Sequence, residues 1–184
     1  DIHPGNLTTP MPVAGFKRIL GASGDKAYLS ARTFDSLHGL WVTDGTVAGT
    51  RQILDVGANS GADLGGTFYF DAMTPDFGSI WRTDGTTVGS SFVGHYSTDL
   101  MTSYKASKLT ASGNRVFFLA NDGVHGRELW TTDGTRAGTK LVKDITPGPV
   151  GAFDDGEYAA QLVDVGGTLF FSCGAGAGCG LWRS

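Results

Sequence analysis

The chain has 184 residues, of which 40% are hydrophobic and 17% are charged, so it can bury a sizeable core within one domain. Its formal net charge is −4, and its lysines and arginines form no run, so no positive field attracts nucleic acid or an anionic membrane. No apolar stretch approaches the roughly 20 residues of a membrane-spanning helix. We therefore expect neither nucleic-acid binding nor a membrane-spanning role.

Short predicted strands and glycine-rich turns follow one another along the whole chain and form four units. The units cover approximately residues 15–60, 61–100, 105–148 and 158–184 of a single repeat domain. The third unit is the clearest, with strands at 107–111, 115–120, 127–132 and 139–145 that are separated by Asn, Asp and Gly. The first strand of the second unit, 61–64, is poorly marked, and the fourth unit offers three strands.

One segment recurs in every unit. It runs from Glu128 to Thr135 in the third unit, returns as 40–46 and 80–86, and begins again at 181–184. Its tryptophans are 40, 49 and 52 residues apart: Trp41, Trp81, Trp130 and Trp182. This period predicts an all-β, propeller-like fold of about four blades with up to four antiparallel strands each, the last blade incomplete. A β-solenoid is the alternative. The phenylalanine-rich second strands are expected nearest the axis.

The same segment carries a family resemblance. Residues 128–135 read Glu-Leu-Trp-Thr-Thr-Asp-Gly-Thr and are similar to the bacterial repeat family named for its ELWxxDGT motif, as are 138–139, 142–145 and 147–148. Other copies replace Glu128 by Gly39, Ser79 or Gly180. The resemblance implies a secreted or surface-exposed bacterial repeat protein with a propeller-like fold. It provides no catalytic residues.

The Thr-Asp-Gly-Thr turns allow two interpretations. Asp44, Asp84 and Asp133 are weak candidates for calcium ligands, because one carboxylate per turn is few for an ion that takes six to eight oxygens. The structural interpretation is a hairpin turn in which the aspartate accepts hydrogen bonds from nearby backbone N–H groups. The following glycine then adopts a positive φ. The three glycines concerned are Gly45, Gly85 and Gly134.

The recurring indoles also allow two interpretations. They are candidates for sugar-stacking platforms, one in each blade. In a repeat protein, however, periodic aromatic residues more often belong to the core between repeats. We favour the second interpretation, since each Trp follows a Leu or Ile and both faces of a stacked blade are covered.

The two cysteines, Cys173 and Cys179, lie at the end of one predicted strand and before the next. Their spacing is not that of a zinc or redox motif. We predict a disulfide that closes this loop, which implies an oxidising compartment.

These features favour a non-catalytic interaction or scaffold module that is secreted, surface-exposed or periplasmic. The incomplete last blade suggests a piece of a longer chain, or an edge covered by further repeats or by another chain. A carbohydrate-binding propeller is the alternative. No hydrolase, nucleotide-binding or metalloprotease motif is present in the sequence. No cofactor is expected, and calcium remains open.

Overall fold

The structure is a computed structural model that describes residues 13–33, 38–73, 78–97, 106–153, 160–173 and 180–184. These residues form fifteen strands and no helix, and the strands assemble into four antiparallel sheets. Each sheet holds three or four strands in sequence order, which confirms the predicted propeller-like, all-β fold with a three-stranded last blade. Coils of parallel strands, as in a solenoid, are not present in the described part of the chain.

Each sheet is one blade, and its strands follow the repeat. Blade 1 contains β1 (Val13–Ser23), β2 (Lys26–Thr33), β3 (Gly39–Thr43) and β4 (Arg51–Leu54). Blade 2 contains β5 (Gly61–Leu64), β6 (Thr67–Met73), β7 (Gly78–Thr83) and β8 (Ser91–His95). Blade 3 contains β9 (Ser107–Ser112), β10 (Arg115–Asn121), β11 (Arg127–Thr132) and β12 (Lys140–Lys143). Blade 4 contains β13 (Gln161–Val165), β14 (Thr168–Ser172) and β15 (Leu181–Arg183).

The first strand of each blade lies innermost. β1 contacts β5, β5 contacts β9, and β9 contacts β13, so consecutive blades meet along their first strands. Our expectation that the second strands lie nearest the axis is therefore wrong. The second strand lies in the middle of a sheet, and the two neighbouring blades cover both faces of that sheet. Its run of apolar residues therefore indicates burial between blades and does not indicate how close the strand lies to the axis.

The register of the strands makes the four blades directly comparable. Each tryptophan on the third strand pairs with one residue of the second strand, and the pairs are Trp41–Leu29, Trp81–Phe70, Trp130–Phe118 and Trp182–Phe171. We call the face that carries these pairs the back face. The front face carries the residue before each tryptophan, because neighbouring side chains of a strand point to opposite sides. The front residues are Leu40, Ile80, Leu129 and Leu181.

The hydrophobic core lies between blades. Three clusters each join the front face of one blade to the back face of the next. Between blades 1 and 2, for example, Leu40 and Val42 pack with Phe68 and Phe70. Since a buried Leu, Val or Phe contributes about 1.5–3 kcal/mol, a blade depends on its neighbour for much of its stability.

Candidate functional site

The Thr-Asp-Gly-Thr turn of blade 3 is closed by its own side chains. The Asp133 carboxylate oxygen Oδ1 accepts hydrogen bonds from the backbone N–H and from the hydroxyl of Thr135, at 3.0 and 2.7 Å. The Thr135 hydroxyl oxygen in turn accepts the N–H of Gly138 at 3.0 Å. The Gly134 N–H donates to the Thr132 hydroxyl oxygen at 3.1 Å, and Gly134 has a φ of 89°. This positive φ explains the glycine, because other residues adopt it at a cost.

The turns of blades 1 and 2 repeat this network. Asp44 and Asp84 each accept the N–H and the hydroxyl of the threonine two residues later, and these bonds lower the pKa of both carboxyls. Each of the three aspartates thus uses one carboxylate oxygen within its own turn. The described residues contain no group of three or more His, Cys, Asp or Glu side chains that could hold a metal ion. The calcium hypothesis for these turns remains an untested prediction.

A second glycine completes the turn and extends the motif to Thr-Asp-Gly-Thr-x-x-Gly-Thr. A methyl group added to Gly49, Gly89 or Gly138 would overlap the carboxylate of the aspartate five residues earlier. The residue after this glycine is Thr50, Ser90 or Thr139, and its hydroxyl donates to the backbone carbonyl of the turn threonine. The Gly-Thr companion of the motif is therefore part of the same turn.

The close approach of Gly138 and Asp133 gives a test by double mutation. Asp133→Ala removes two hydrogen bonds, and Gly138→Ala displaces the same carboxylate, so each change should lower the melting temperature by several degrees. The double variant should be little worse than Asp133→Ala alone, because the new methyl group then has room. Thermal unfolding followed by circular dichroism measures this coupling. Gly180→Ala is the control, since nothing lies within 4 Å of its added methyl group. If the losses from Asp133→Ala and Gly138→Ala were fully additive in the double variant, this would contradict the close packing of the two residues.

In blades 2 and 3, the turn also contacts the blade before it. In blade 2, the carbonyl oxygens of Asp84 and Gly85 accept hydrogen bonds from Lys26 Nζ and Arg51 Nη2 of blade 1, at 3.0 and 2.9 Å. A methyl group on Gly85 would lie 3.1 Å from the Tyr28 hydroxyl. In blade 3, a methyl group on Gly134 would overlap the hydroxyl of Tyr69 in blade 2. The recurring turn thus belongs to the junction between blades.

The tryptophans lie on the back faces of their blades, and in blades 2, 3 and 4 this face is turned toward the preceding blade. Trp81 and Trp182 are half-buried and pack against the clusters that join blade 2 to blade 1 and blade 4 to blade 3. Trp130 is buried in the cluster between blades 2 and 3. Trp41 is buried with Leu29 and Ala31 in a cluster of blade 1 residues alone. The positions of Trp81, Trp130 and Trp182 fit a role between repeats. The sugar-stacking interpretation stays an untested hypothesis.

Blade 4 presents a front face that differs from the others. Leu40, Ile80 and Leu129 are 0% exposed because the next blade covers them, whereas the equivalent Leu181 is 80% exposed. Val163 and Val165 on β13 are also exposed. The described part of the molecule therefore contains one apolar front face that no further blade covers.

A buried carboxylate holds the connection between blades 1 and 2. Asp71 on β6 is 1% exposed, and its Oδ1 accepts the N–H groups of Asn59 and Ser60 at 2.7 Å each. Burial raises the pKa of Asp71 to about 7, although these hydrogen bonds oppose the rise. The Ser60 hydroxyl oxygen then accepts the N–H of Leu109 on β9, so this connection also contacts blade 3. The repeat pattern gave no signal for Asp71, because blade 1 has Ser30 at the equivalent position.

Glu128 holds the connection between blades 3 and 4 in the same way. Its side chain is fully buried, and its Oε1 accepts the N–H groups of Thr146 and Ala152 at 3.0 Å each. Burial raises the pKa of this carboxyl. The sequence marked Glu128 through the motif but did not indicate this role. The copies with Gly or Ser at this position lack the bond. The glutamate therefore stabilises the junction between blades 3 and 4 and is not required to form a blade.

A histidine–aspartate pair stands in the hairpin between β10 and β11. Asp122 Oδ2 lies 2.6 Å from His125 Nδ1, and Asp122 Oδ1 accepts the N–H groups of Val124 and His125. The hydrogen bond to Asp122 raises the pKa of His125. Within the described ranges, no further His, Cys, Asp or Glu joins the pair in a metal-binding group. The geometry shows a local role in closing the loop.

The predicted disulfide lies partly outside the described residues, because Cys179 belongs to the segment 174–179. Cys173 is half-buried and packs against the cluster between blades 3 and 4. It follows Phe171 by two residues, as Ala31, Ala72 and Ala120 follow the corresponding residues of the other blades. The Cys173–Cys179 bond remains a prediction.

Comparison with known proteins establishes the fold and no family. No protein-family model matches the chain, and no curated protein matches it significantly. Among solved structures, the chain is similar to prolyl oligopeptidase B from Galerina marginata, with a TM-score of 0.52 and 12% identity over 89% of this chain and 23% of that one. The chain therefore spans about a quarter of that protein. At this identity the likeness supports the propeller-like fold alone.

Two further structures are similar at lower scores. They are AtxE2 isopeptidase, with a TM-score of 0.48 and 12% identity over 90% of this chain and 25% of that one, and an exo-β-1,3-galactanase from Phanerochaete chrysosporium, with a TM-score of 0.42 and 10% identity over 80% and 38%. At these scores neither likeness adds to the fold assignment. No helix in the described part of the chain has the length and apolar character needed to cross a bilayer.

Proposed function

We propose that the chain is a non-catalytic interaction and scaffold module of an extracellular or periplasmic bacterial protein. The observation that supports this most is the exposed Leu181, which stands at a position that is fully buried in each of the other three blades. An apolar front face of this kind suits a contact with another protein chain or with further repeats. The recurring Trp, Asp, Gly and Thr residues serve turns and junctions, so the repeat builds a framework.

The location is supported by the resemblance of residues 128–135 to the ELWxxDGT motif, which is typical of secreted and surface-exposed bacterial proteins. The pair Cys173 and Cys179 would suit an oxidising compartment if the bond forms. Enzymatic activity is not part of the proposal, because the activities of the peptidases and the galactanase belong to proteins that share 10–12% identity with this chain.

Site-specific photo-crosslinking tests the proposed surface. A photoreactive amino acid at position 181 should give protein adducts in the native organism, whereas the same group at position 124 should not. Val124 is a matched control because it is an exposed apolar residue of a hairpin in blade 3. An absence of adducts at 181, or equal adducts at both positions, would overturn the proposal.

A glycan array with and without calcium tests the carbohydrate-binding alternative. The proposal expects no specific sugar signal under either condition. A strong signal for one sugar class, removed by a substitution at an exposed turn such as Asp44→Ala, would show that the chain is a lectin and not a scaffold. Circular dichroism of the variant would verify that its fold is retained.

A further inference from the structure

We infer that Glu128, Asp144 and Thr146 bind a calcium ion at the junction between blades 3 and 4. The inference rests on three buried oxygen atoms, which are Oε2 of Glu128, Oδ1 of Asp144 and Oγ1 of Thr146. None of the three has a hydrogen-bond partner among the residues that the structure describes. A buried polar atom without a partner costs free energy, so it is usually met by a water molecule or an ion. The inference does not depend on the proposed function.

The strand register brings two carboxylates face to face. β11 and β12 pair antiparallel, and one further step of their ladder places Asp144 opposite Glu128. The equivalent step in blade 2 is the pair of Ser79 and His95. Side chains directly opposite on a sheet have Cβ atoms about 4.5–5.5 Å apart, and like charges there repel each other. Burial is the main cause of the raised pKa of Glu128, and the charge of Asp144 adds to it.

Hydrogen bonds to the backbone fix the orientation of the Glu128 carboxylate. Its Oε1 accepts the N–H groups of Thr146 and Ala152, and the side chain is 0% exposed. Because these bonds hold one carboxylate oxygen in place, the position of Oε2 is fixed as well. The Thr146 hydroxyl belongs to a residue whose own N–H donates to this carboxylate, so it lies close to it. The three unpartnered oxygens therefore belong to one place in the fold.

Blade 1 fills the same place in a different way. There, a glycine and Asp55 occupy the positions of the two carboxylates of blade 3. The side-chain amide of Gln52 donates to Asp55 Oδ1 at 3.4 Å, and a methyl group on the glycine would lie 2.7 Å from this amide nitrogen. In blade 3, Leu141 stands at the position of Gln52 and has no donor to offer. Blade 3 thus has one more carboxylate than blade 1 and one donor fewer.

The neighbouring cationic side chains have other partners. Within the described ranges, neither carboxylate forms a salt bridge. Lys143 is next to Asp144 in the sequence, but its ammonium nitrogen lies 5.1 Å from the ring centroid of Trp182 in blade 4. The Nδ1 atom of His125 lies 2.6 Å from Asp122 Oδ2, so this imidazole is paired within its own hairpin. The positive charge that balances the two carboxylates therefore comes from a cation in solution.

The chemistry of the three ligands favours calcium. They are all oxygen atoms, which hard cations prefer, and two carboxylates balance a divalent charge. Calcium takes six to eight oxygens, so backbone carbonyl groups and water complete its coordination. A proton shared by the carboxylates would join only two of the three oxygens, whereas a cation contacts all three. With few protein ligands, we expect a dissociation constant of about 10⁻⁴–10⁻³ M, as in extracellular calcium modules.

Titration of the whole chain with calcium chloride tests the inference. Isothermal titration calorimetry should show one bound ion per chain. At about ten times the dissociation constant, bound calcium should raise the melting temperature by roughly 3–6 °C. Sodium chloride at the same ionic strength is the control for charge screening and should not reproduce this rise.

Two substitutions remove the ligands and should preserve the fold. Glu128→Gln keeps an oxygen that accepts the two N–H groups, and it places an amide donor beside Asp144, as Gln52 does beside Asp55 in blade 1. This variant and Asp144→Asn should both lose the heat of binding and the rise in melting temperature. Asp55→Asn, in the equivalent position of blade 1, and Asp133→Asn, in the turn of blade 3, are the matched controls and should retain both.

Each outcome has a definite meaning. A wild-type chain that binds no calcium overturns the inference and indicates a shared proton or water in this place. Calcium binding that persists in Glu128→Gln or in Asp144→Asn also overturns it. A loss of binding in Asp133→Asn would assign the ion to the Thr-Asp-Gly-Thr turn instead of the junction. Circular dichroism identifies a variant that does not fold, and the other substitution then decides. None of these results affects the crosslinking test at position 181.

Discussion

Gly151→Ala is expected to destabilise the chain by about 4 kcal/mol or more, a large part of the roughly 5–15 kcal/mol by which a domain is usually stable. An added methyl group would overlap the backbone nitrogen of Arg127 and lie 2.6 Å from its carbonyl oxygen. Backbone atoms cannot rotate away as a side chain can, so the segment at 151–153 would have to leave β11. The Ala152 N–H bond to Glu128 and the Phe153 N–H bond to the Arg127 carbonyl would be lost with it.

Gly24→Ala is the matched control for this substitution. Gly151 has a φ of 70° and Gly24 a φ of 60°, so both variants carry a similar backbone strain of about 1 kcal/mol. Nothing lies within 4 Å of a methyl group on Gly24. Urea unfolding gives the free energy of unfolding of both variants, and the difference between the two values is the cost of the overlap at Gly151. Equal losses would show that the connection between blades 3 and 4 is not packed against β11.

The free energy of unfolding should fall by about 4 kcal/mol as the pH rises from about 4 to about 7, because of Asp71 alone. Burial raises the pKa of Asp71 from 3.8 to about 7 in the folded chain. Within this window the folded state binds a proton that the unfolded state has released. The stabilisation is therefore fully present below pH 3.8 and is lost as the pH rises through the folded pKa.

Asp71→Asn removes this dependence, since an amide does not titrate. Urea unfolding at pH 5 and pH 8 should show a smaller fall for the variant than for the wild type, whatever the variant's absolute stability. The new amide at position 71 would oppose the Asn59 amide, which donates to Asp71 at 3.1 Å in the wild type, so some loss at both pH values is expected. Asp25→Asn changes an exposed carboxylate in the turn between β1 and β2 and is the control. An unchanged slope in Asp71→Asn would contradict a raised pKa at this site.

The sequence predicts the repeated parts of the fold well, because each repeat has a local physical cause. Turn residues and alternating apolar strands identified the blades, including the weakly marked β5 at Gly61–Leu64. The innermost strand was predicted wrongly, since a strand buried by two neighbouring blades has the same apolar run wherever it lies in its sheet. That distinction depends on contacts between units, and a single sequence does not show them.

Only those residues of the candidate site that recur from blade to blade could be predicted from the sequence. The turn aspartates and their glycines were visible as a motif, and the motif also contained Gly138 and Thr139 without revealing that they close the turn. Asp71 was not visible, because it occurs in one blade and its partners, Asn59 and Ser60, lie in an irregular connection. The incomplete last blade indicated an uncovered edge, but Leu181 could not be identified as an exposed residue, since its local sequence is similar to that of its buried equivalents. The burial of Asp71 and the exposure of Leu181 both depend on contacts between neighbouring units.

The contact of the Thr-Asp-Gly-Thr turn with the preceding blade, present in blades 2 and 3, has a consequence for how such proteins change in evolution. A unit of this kind contains both its own strands and the turn that joins it to the unit before. Duplicating or deleting a whole unit in the gene would therefore preserve the turn, whereas a contact specific to one junction, such as that of Asp71 with Asn59 and Ser60, would not form at a new one. Arrays of different length can arise by this route, with substitutions confined to the residues that are specific to single junctions.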